Sequence, residues 1–72
     1  MKKINISSEY ITLGQFLKYI GIIDCGSYAK QFLMENLVLI NNEQDQRRGR
    51  KIYPGDVVEV LKKQYEVNKI VD

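Results

Sequence analysis

The chain has 72 residues, of which 44% are hydrophobic and 28% are charged, so we expect one folded domain with a small core. Its formal net charge of +2 is too low for the total alone to indicate a nucleic-acid partner. With no histidine and a single cysteine, Cys25, the sequence excludes an intrachain disulfide, the common zinc sites and catalysis by Ser-His-Asp or Cys-His groups. No apolar run approaches the roughly 18–20 residues that cross a membrane, and the N-terminus lacks the apolar stretch of a secretion signal. A cytoplasmic protein is therefore expected.

The first part of the chain predicts a strand and then a helix. Polar and apolar residues alternate over residues 3–7, as in a strand with one buried face. Thr12 is followed three residues later by Gln15, the spacing of a capping box. Apolar residues then recur at helical spacing, which predicts a helix at about residues 13–20. Gly14 lies inside it, so a close approach by another backbone is expected there.

A second helix is predicted after a short turn. Asp24 or Ser27 is placed to cap its start, and Asn36 is placed to end it, because asparagine tolerates positive φ. Residues 37–40 are apolar and partly β-branched, so they predict a buried strand. Asn41-Asn42 then indicates a turn.

The last part of the chain predicts a solvated loop followed by strands. Residues 44–51 carry no apolar side chain and are expected to lie in solvent. Pro54-Gly55 fits a type II turn, which Asp56 is expected to cap. Residues 57–61 form the clearest strand, and residues 65–67 are expected to extend the sheet. Since the helices and strands are segregated along the chain, the sequence predicts an α+β fold with two adjacent helices on one side of a small sheet.

A cluster of cations is the first candidate for function. Four of the five residues from Arg47 to Lys51 are basic. Clustered cations favour a phosphate backbone, because each neutralised phosphate releases counterions, and the planar forks of Arg48 and Arg50 suit phosphate oxygens. Gly49 would let a ligand approach the backbone closely. From this cluster alone, phosphate binding and a loop that only keeps the protein soluble both remain open.

The polar faces of the two predicted helices are the second candidate. Lys18 and Lys30 fall off the apolar stripes, and the start of the second helix offers free N–H groups that suit a phosphate. Ordinary solvent-facing lysines and an ordinary cap are the alternative. Of the five tyrosines, we expect most to fill the small core; Tyr28 is the exception, because its place beside Lys30 would let it stack on a base.

The sequence gives no positive indication of catalysis. Acidic residues are scattered without a pair at catalytic spacing, and the glycines do not form a phosphate-loop pattern. We therefore expect no enzyme activity, no small-molecule substrate, no cofactor and no metal.

These pieces, taken in order, resemble the S-four RNA-binding domain, also called the alpha-L motif. The resemblance covers about residues 12–58, within one domain expected to span residues 1–72. Stand-alone length and the basic loop look like the short bacterial YaaA-type members. The residues that carry the resemblance are Leu13, Phe16-Leu17, Gly21, Ser27, Ala29, Phe32-Leu33, Val38-Leu39-Ile40-Asn41 and Pro54-Gly55-Asp56-Val57-Val58.

The resemblance implies a small, mostly antiparallel sheet and a non-catalytic module that binds structured RNA, ribosomal RNA or an assembling ribosome above all. We expect the protein to be a monomer. In the family the two helices and the adjoining loop form the basic RNA-binding face. Many members carry arginine where this chain has Tyr28, which shifts the expected contacts toward Lys30 and the loop. The expected RNA-binding residues are Lys18, Tyr28, Lys30, Arg47, Arg48, Arg50 and Lys51. A protein-interaction adaptor without RNA affinity and a DNA-binding accessory protein are the alternatives, the first favoured by the low net charge.

Overall fold

The computed structural model describes residues 1–70 of the chain. Its elements follow the predicted order: strand, helix pair, then a run of short strands. They are β1 (Lys2–Ile6), β2 (Ile11–Thr12), α1 (Leu13–Tyr19), a one-turn 3-10 helix (Gly26–Tyr28), α2 (Ala29–Glu35), β3 (Val38–Ile40), β4 (Glu43–Gln44), β5 (Lys51–Ile52), β6 (Val57–Val60) and β7 (Lys63–Lys69). Within residues 1–70, no helix is long and apolar enough to span a membrane.

The strands form one five-stranded sheet and one small ribbon. The sheet has the order β1-β7-β6-β3-β4, and β2 pairs with β5 in the ribbon. β1 runs parallel to β7, and every other pairing is antiparallel. The predicted α+β fold, with adjacent helices and a mostly antiparallel sheet, is confirmed.

The start of α1 matches the sequence prediction. Thr12 Oγ1 accepts a hydrogen bond from the Gln15 N–H at 3.2 Å, and Gln15 Oε1 accepts one from the Thr12 N–H at 2.9 Å. This reciprocal pair is a capping box, which satisfies two N–H groups that the first turn leaves without helical partners. A Cβ built on Gly14 would lie 3.4 Å from the carbonyl oxygen of Arg48. The predicted close approach of a second backbone is confirmed.

The two ends of α2 differ from the prediction. Neither Asp24 nor Ser27 caps the helix, because the one-turn 3-10 helix precedes α2 and no side-chain cap hydrogen bond is formed. Asn36 has an extended backbone, φ −132°, rather than a positive φ. Its side-chain amide instead donates to the Phe32 carbonyl at 3.0 Å, so asparagine ends α2 by satisfying a terminal carbonyl. In the turn that follows, Asn41 and its neighbour do take positive φ, at 52° and 68°.

The C-terminal strands follow the predicted pattern. Gly55 has a φ of 97°, as the third position of a type II turn requires. Asp56 Oδ2 accepts a hydrogen bond from the Tyr53 N–H at 2.8 Å, which closes that turn. β6 then leads into β7, which contains Tyr65 and Val67 and lies between β6 and β1.

The core lies between the helix pair and the sheet. Its members are almost all aliphatic side chains with less than a tenth of their surface exposed. They are Ile4, Ile6, Leu13, Phe16, Leu17, Ile23, Ala29, Leu33, Val38, Ile40, Ile52, Val58, Val60, Tyr65 and Val67. Phe16 and Tyr65 meet edge to face, with ring centroids 5.6 Å apart, so the larger rings of the core link α1 to β7.

Most tyrosines lie outside this core, which corrects the sequence-based expectation. Tyr65 alone is buried; Tyr10, Tyr53, Tyr28 and Tyr19 are between 36% and 61% exposed. The aliphatic side chains of five strands and two helices already fill the space, so four aromatic rings remain at the surface.

Candidate nucleic-acid interface

The cationic segment Arg47–Lys51, here called the basic loop, is attached to the first turn of α1. The carbonyl oxygen of Arg48 accepts a hydrogen bond from the Gly14 N–H at 2.9 Å, and that of Arg50 accepts one from the Leu13 N–H at 2.8 Å. These are N–H groups that the first turn of a helix cannot satisfy internally. The loop backbone therefore has a fixed position against α1.

The start of α2 also packs against Gly14. The Cβ position of Gly14 lies 3.5 Å from the Ala29 Cβ and 3.7 Å from the Arg48 Cβ. Both helices and the basic loop thus converge at Gly14, where an added Cβ would lie in van der Waals contact with Ala29 and Arg48. A shallow surface groove runs over this junction, lined by Thr12, Gly14, Gln15, Gly26, Arg48 and Gly49.

A buried carboxylate organises the basic loop. Asp45, expected in solvent, is only 7% exposed. Its Oδ1 accepts hydrogen bonds from the Arg47 backbone N–H at 2.9 Å and from Arg47 Nε at 3.1 Å. Its Oδ2 accepts from Arg47 Nη2 and from Arg50 Nη1, both at 2.8 Å. The prediction of a wholly solvated segment 44–51 is wrong at this residue, because two arginine side chains supply the partners that let a carboxylate be buried.

These contacts change the electrostatics of the loop. Hydrogen bonds from Arg47, and then from Arg50, hold the pKa of Asp45 well below its usual value despite the opposing effect of burial. The carboxylate in turn raises the pKa of Arg47. In the described part of the chain, the only salt bridges join Asp45 to these two arginines. Within residues 1–70, Arg48 and Lys51 therefore form no salt bridge with a carboxylate.

Lys51 belongs to an aromatic cluster on the β2–β5 ribbon. Its Nζ lies 5.0 Å from the centroid of the Tyr10 ring, a cation–π distance. The Tyr10 and Tyr53 centroids are 5.6 Å apart, with the rings tilted by 47°. Two partly exposed rings and one ammonium group therefore lie side by side at the end of the basic loop.

The remaining predicted contacts lie on the helices and are exposed. Lys18 is in the last turn of α1 and Lys30 is in the first turn of α2. Tyr28 is 55% exposed, so it is not a core residue. It lines a different groove from Arg48, one formed with Ile23, Phe32 and neighbouring residues. The structure thus brings the basic loop to the helix junction, while Tyr28 faces another part of the surface.

Sequence reasoning missed Asp45, Tyr10 and Tyr53. The sequence did contain one indication of the role of Asp45. It is the only carboxylate in the polar run 44–51, and a carboxylate close to several arginines commonly forms a salt bridge with them. The two tyrosines gave no local signal, because their contact depends on the pairing of β2 with β5, which brings Ile11 opposite Ile52.

Comparison with known proteins gives two matches. Residues 4–68 match the model of the S4 domain, which is the S-four domain named above. The chain is also similar to a protein of Bacillus subtilis (strain 168) named "Probable ribosome maturation protein RlbA". The two sequences are 60% identical over 57 residues, which is 79% of this chain and 80% of the relative. Both the length of the family match and this identity lead to one conclusion: the chain belongs to the S4 domain family.

Proposed function

We propose that the chain is a non-catalytic, cytoplasmic RNA-binding module that contacts structured RNA, most specifically ribosomal RNA or an assembling ribosome. The observation that carries the proposal is the convergence of α1, α2 and the basic loop at Gly14. Each of these three segments carries at least one of the expected cations. A folded RNA presents phosphates along its grooves and is bound mostly through its shape and backbone. A rigid basic surface meets that requirement.

The contacts are those expected from the sequence. Arg48 and Lys51 come from the basic loop, and Lys18 and Lys30 from the helices; all four are exposed. The Arg47 side chain is 74% exposed even though it binds Asp45, so its remaining N–H groups can reach a phosphate. The Arg50 side chain is 29% exposed and makes the smallest direct contribution. Tyr28 lines the separate groove described above, so its exposed ring would stack on a base that lies outside the helix junction.

The name of the Bacillus subtilis relative supports a role at the ribosome, since it describes a ribosome maturation protein. At 60% identity over 57 residues, a shared target is the simplest inference. We extend the proposal to a protein that acts as a monomer, without a cofactor or a membrane partner, and binds RNA without chemically changing it.

A competition assay tests the proposal. Labelled structured RNA, such as a ribosomal RNA hairpin, is bound by the chain and challenged with unlabelled RNA or duplex DNA. We expect RNA to compete and DNA of equal charge to compete poorly. Lys30→Glu and Arg48→Glu should each weaken binding, whereas Lys63→Glu, the same charge reversal at the exposed start of β7, should not. Equal competition by DNA would favour a DNA-binding protein, and no binding of either would favour the adaptor.

A further inference from the structure

Tyr10 and Tyr53 form a pair of rings that lies outside the hydrophobic core. Their exposures are 36% and 47%, against 8% for Tyr65, the one tyrosine of the core. Their centroids lie 5.6 Å apart, so the pair presents one aromatic surface rather than two scattered side chains. Aromatic surface left in water is a common feature of sites that receive an aromatic ligand.

The backbone that carries the Tyr53 ring is held in place before any ligand arrives. The Tyr53 backbone N–H donates to Asp56 Oδ2 at 2.8 Å, and Pro54 restricts the backbone of the residue before it to extended conformations. The Tyr10 ring lies next to the Tyr53 ring, with the two centroids 5.6 Å apart. A ring carried on a fixed backbone loses less conformational entropy on stacking than one on a mobile loop.

One cation, the Lys51 ammonium, lies directly beside the aromatic pair. The Lys51 Nζ is 5.0 Å from the Tyr10 centroid, and Lys51 pairs with Thr12 across the ribbon. The Arg50 carbonyl is bonded to the Leu13 N–H at the start of α1. The rings are therefore continuous with the basic loop, which is where a nucleic-acid backbone would run.

We propose that Tyr53, backed by Tyr10, is a stacking platform for an unpaired RNA base, with Lys51 placed to contact the phosphate of the same nucleotide. The inference rests on the proposed function and adds a ligand to it: a base outside a duplex, next to a structured stem. The Lys51 ammonium lies over the Tyr10 ring, and Tyr10 is less exposed than Tyr53, so Tyr53 offers the freer ring face. A base has a π-face whatever its identity, so the platform favours unpaired nucleotides without reading their sequence.

Two RNAs of equal charge test the platform. One is a hairpin stem with two unpaired nucleotides at its end; the other is the same stem with those two nucleotides abasic, which keeps the phosphates and removes the bases. We expect the unmodified chain to bind the first RNA more tightly, by about 5- to 150-fold for one stacked base.

Variants locate the site. Tyr53→Leu keeps an apolar side chain over the ribbon but removes the ring, so it should bind both RNAs with the affinity that the unmodified chain has for the abasic one. Tyr53→Phe should keep the preference. Tyr19→Leu is the matched control, because Tyr19 is 61% exposed but lies on α1, and it should also keep the preference. Tyr10→Leu, which removes the backing ring, should reduce it and serves as the second variant if Tyr53→Leu does not fold in a thermal melt.

The outcomes separate this inference from the proposed function. Equal binding of the two RNAs by the unmodified chain, or a preference that persists in both folded leucine variants of the pair, would overturn the platform and leave the RNA-binding proposal standing. Failure to bind either RNA would overturn both.

Discussion

Neutralising the buried carboxylate of the basic loop gives the sharpest prediction. Asp45→Asn keeps the size of the side chain but removes the negative charge that Arg47 and Arg50 share. The net charge of the chain rises from +2 to +3. If RNA affinity depends only on the net positive charge of the loop, RNA should bind more tightly. If Asp45 holds the loop against α1, RNA should bind more weakly in spite of the added charge.

The stability cost follows from the contacts. Removing one partner of a buried ion pair costs about 3–5 kcal/mol when the other partner stays buried. Here Arg47 can return to water, and the asparagine oxygen can still accept the Arg47 backbone N–H. We therefore expect Asp45→Asn to lower the free energy of unfolding by about 2–3 kcal/mol, which is close to the net loss of one charge-assisted hydrogen bond. In a domain of this size that lowers Tm by about 10–20 °C.

The assay measures stability, loop attachment and RNA affinity on the same variant at a temperature where it is folded. Amide hydrogen exchange of Leu13 and Gly14 reports loop attachment, since their N–H groups bond to carbonyls of the loop, and both should exchange faster. Glu43→Gln is the matched control, because it adds the same charge at an exposed position of β4 and should bind RNA as tightly as the unmodified chain or more so. Tighter RNA binding by Asp45→Asn, with unchanged exchange at Leu13 and Gly14, would refute the reasoning.

The buried carboxylate also makes stability depend on pH and on which loop arginine is replaced. Because the pKa of folded Asp45 is depressed, its contribution to stability is complete above the usual value of 3.8 and is lost as the pH falls from there through the folded-state pKa; acid titration of Tm should show a loss that Asp45→Asn lacks. Arg50→Glu, which places a second carboxylate beside Asp45, should lower Tm clearly, whereas Arg48→Glu should change the free energy of unfolding by about 0.5 kcal/mol or less. Tyr28→Ala should leave thermal stability equally unaffected, because the ring is 55% exposed, and any effect should be on RNA affinity.

The parts of the fold that depend on nearby residues could be predicted from the sequence. The capping box of Thr12 and Gln15 needs only the first turn of α1, and the Pro54-Gly55 turn needs only its own backbone preferences. Gly14 indicated a close contact because glycine is costly inside a helix. Its partner, the Arg48 carbonyl, could not be named, since it lies 34 residues further along the chain.

The features that the sequence did not indicate depend on tertiary pairing. A polar run without apolar residues predicts a solvated loop, and Asp45 departs from this only because Arg47 and Arg50 fold back onto it. Whether a tyrosine is buried depends on how much of the core the aliphatic side chains of the strands already fill. No local sequence pattern reports that volume. The predicted cap of α2 was wrong as well. A one-turn 3-10 helix precedes α2, and Ser27 lies inside it instead of capping α2 with its side chain.

The salt dependence of RNA affinity tests the central claim most directly. Affinity of the unmodified chain for a ribosomal RNA hairpin is measured over a range of salt concentrations, beside Lys30→Gln and Arg48→Gln. We expect the logarithm of affinity to fall linearly with the logarithm of salt concentration, with a slope of about 3–4 units if four or five cations meet phosphates, and each variant to reduce that slope by about 0.7–0.9 units. A flat plot, or a slope that neither variant changes, would contradict an RNA-binding face built from the helix junction and the basic loop.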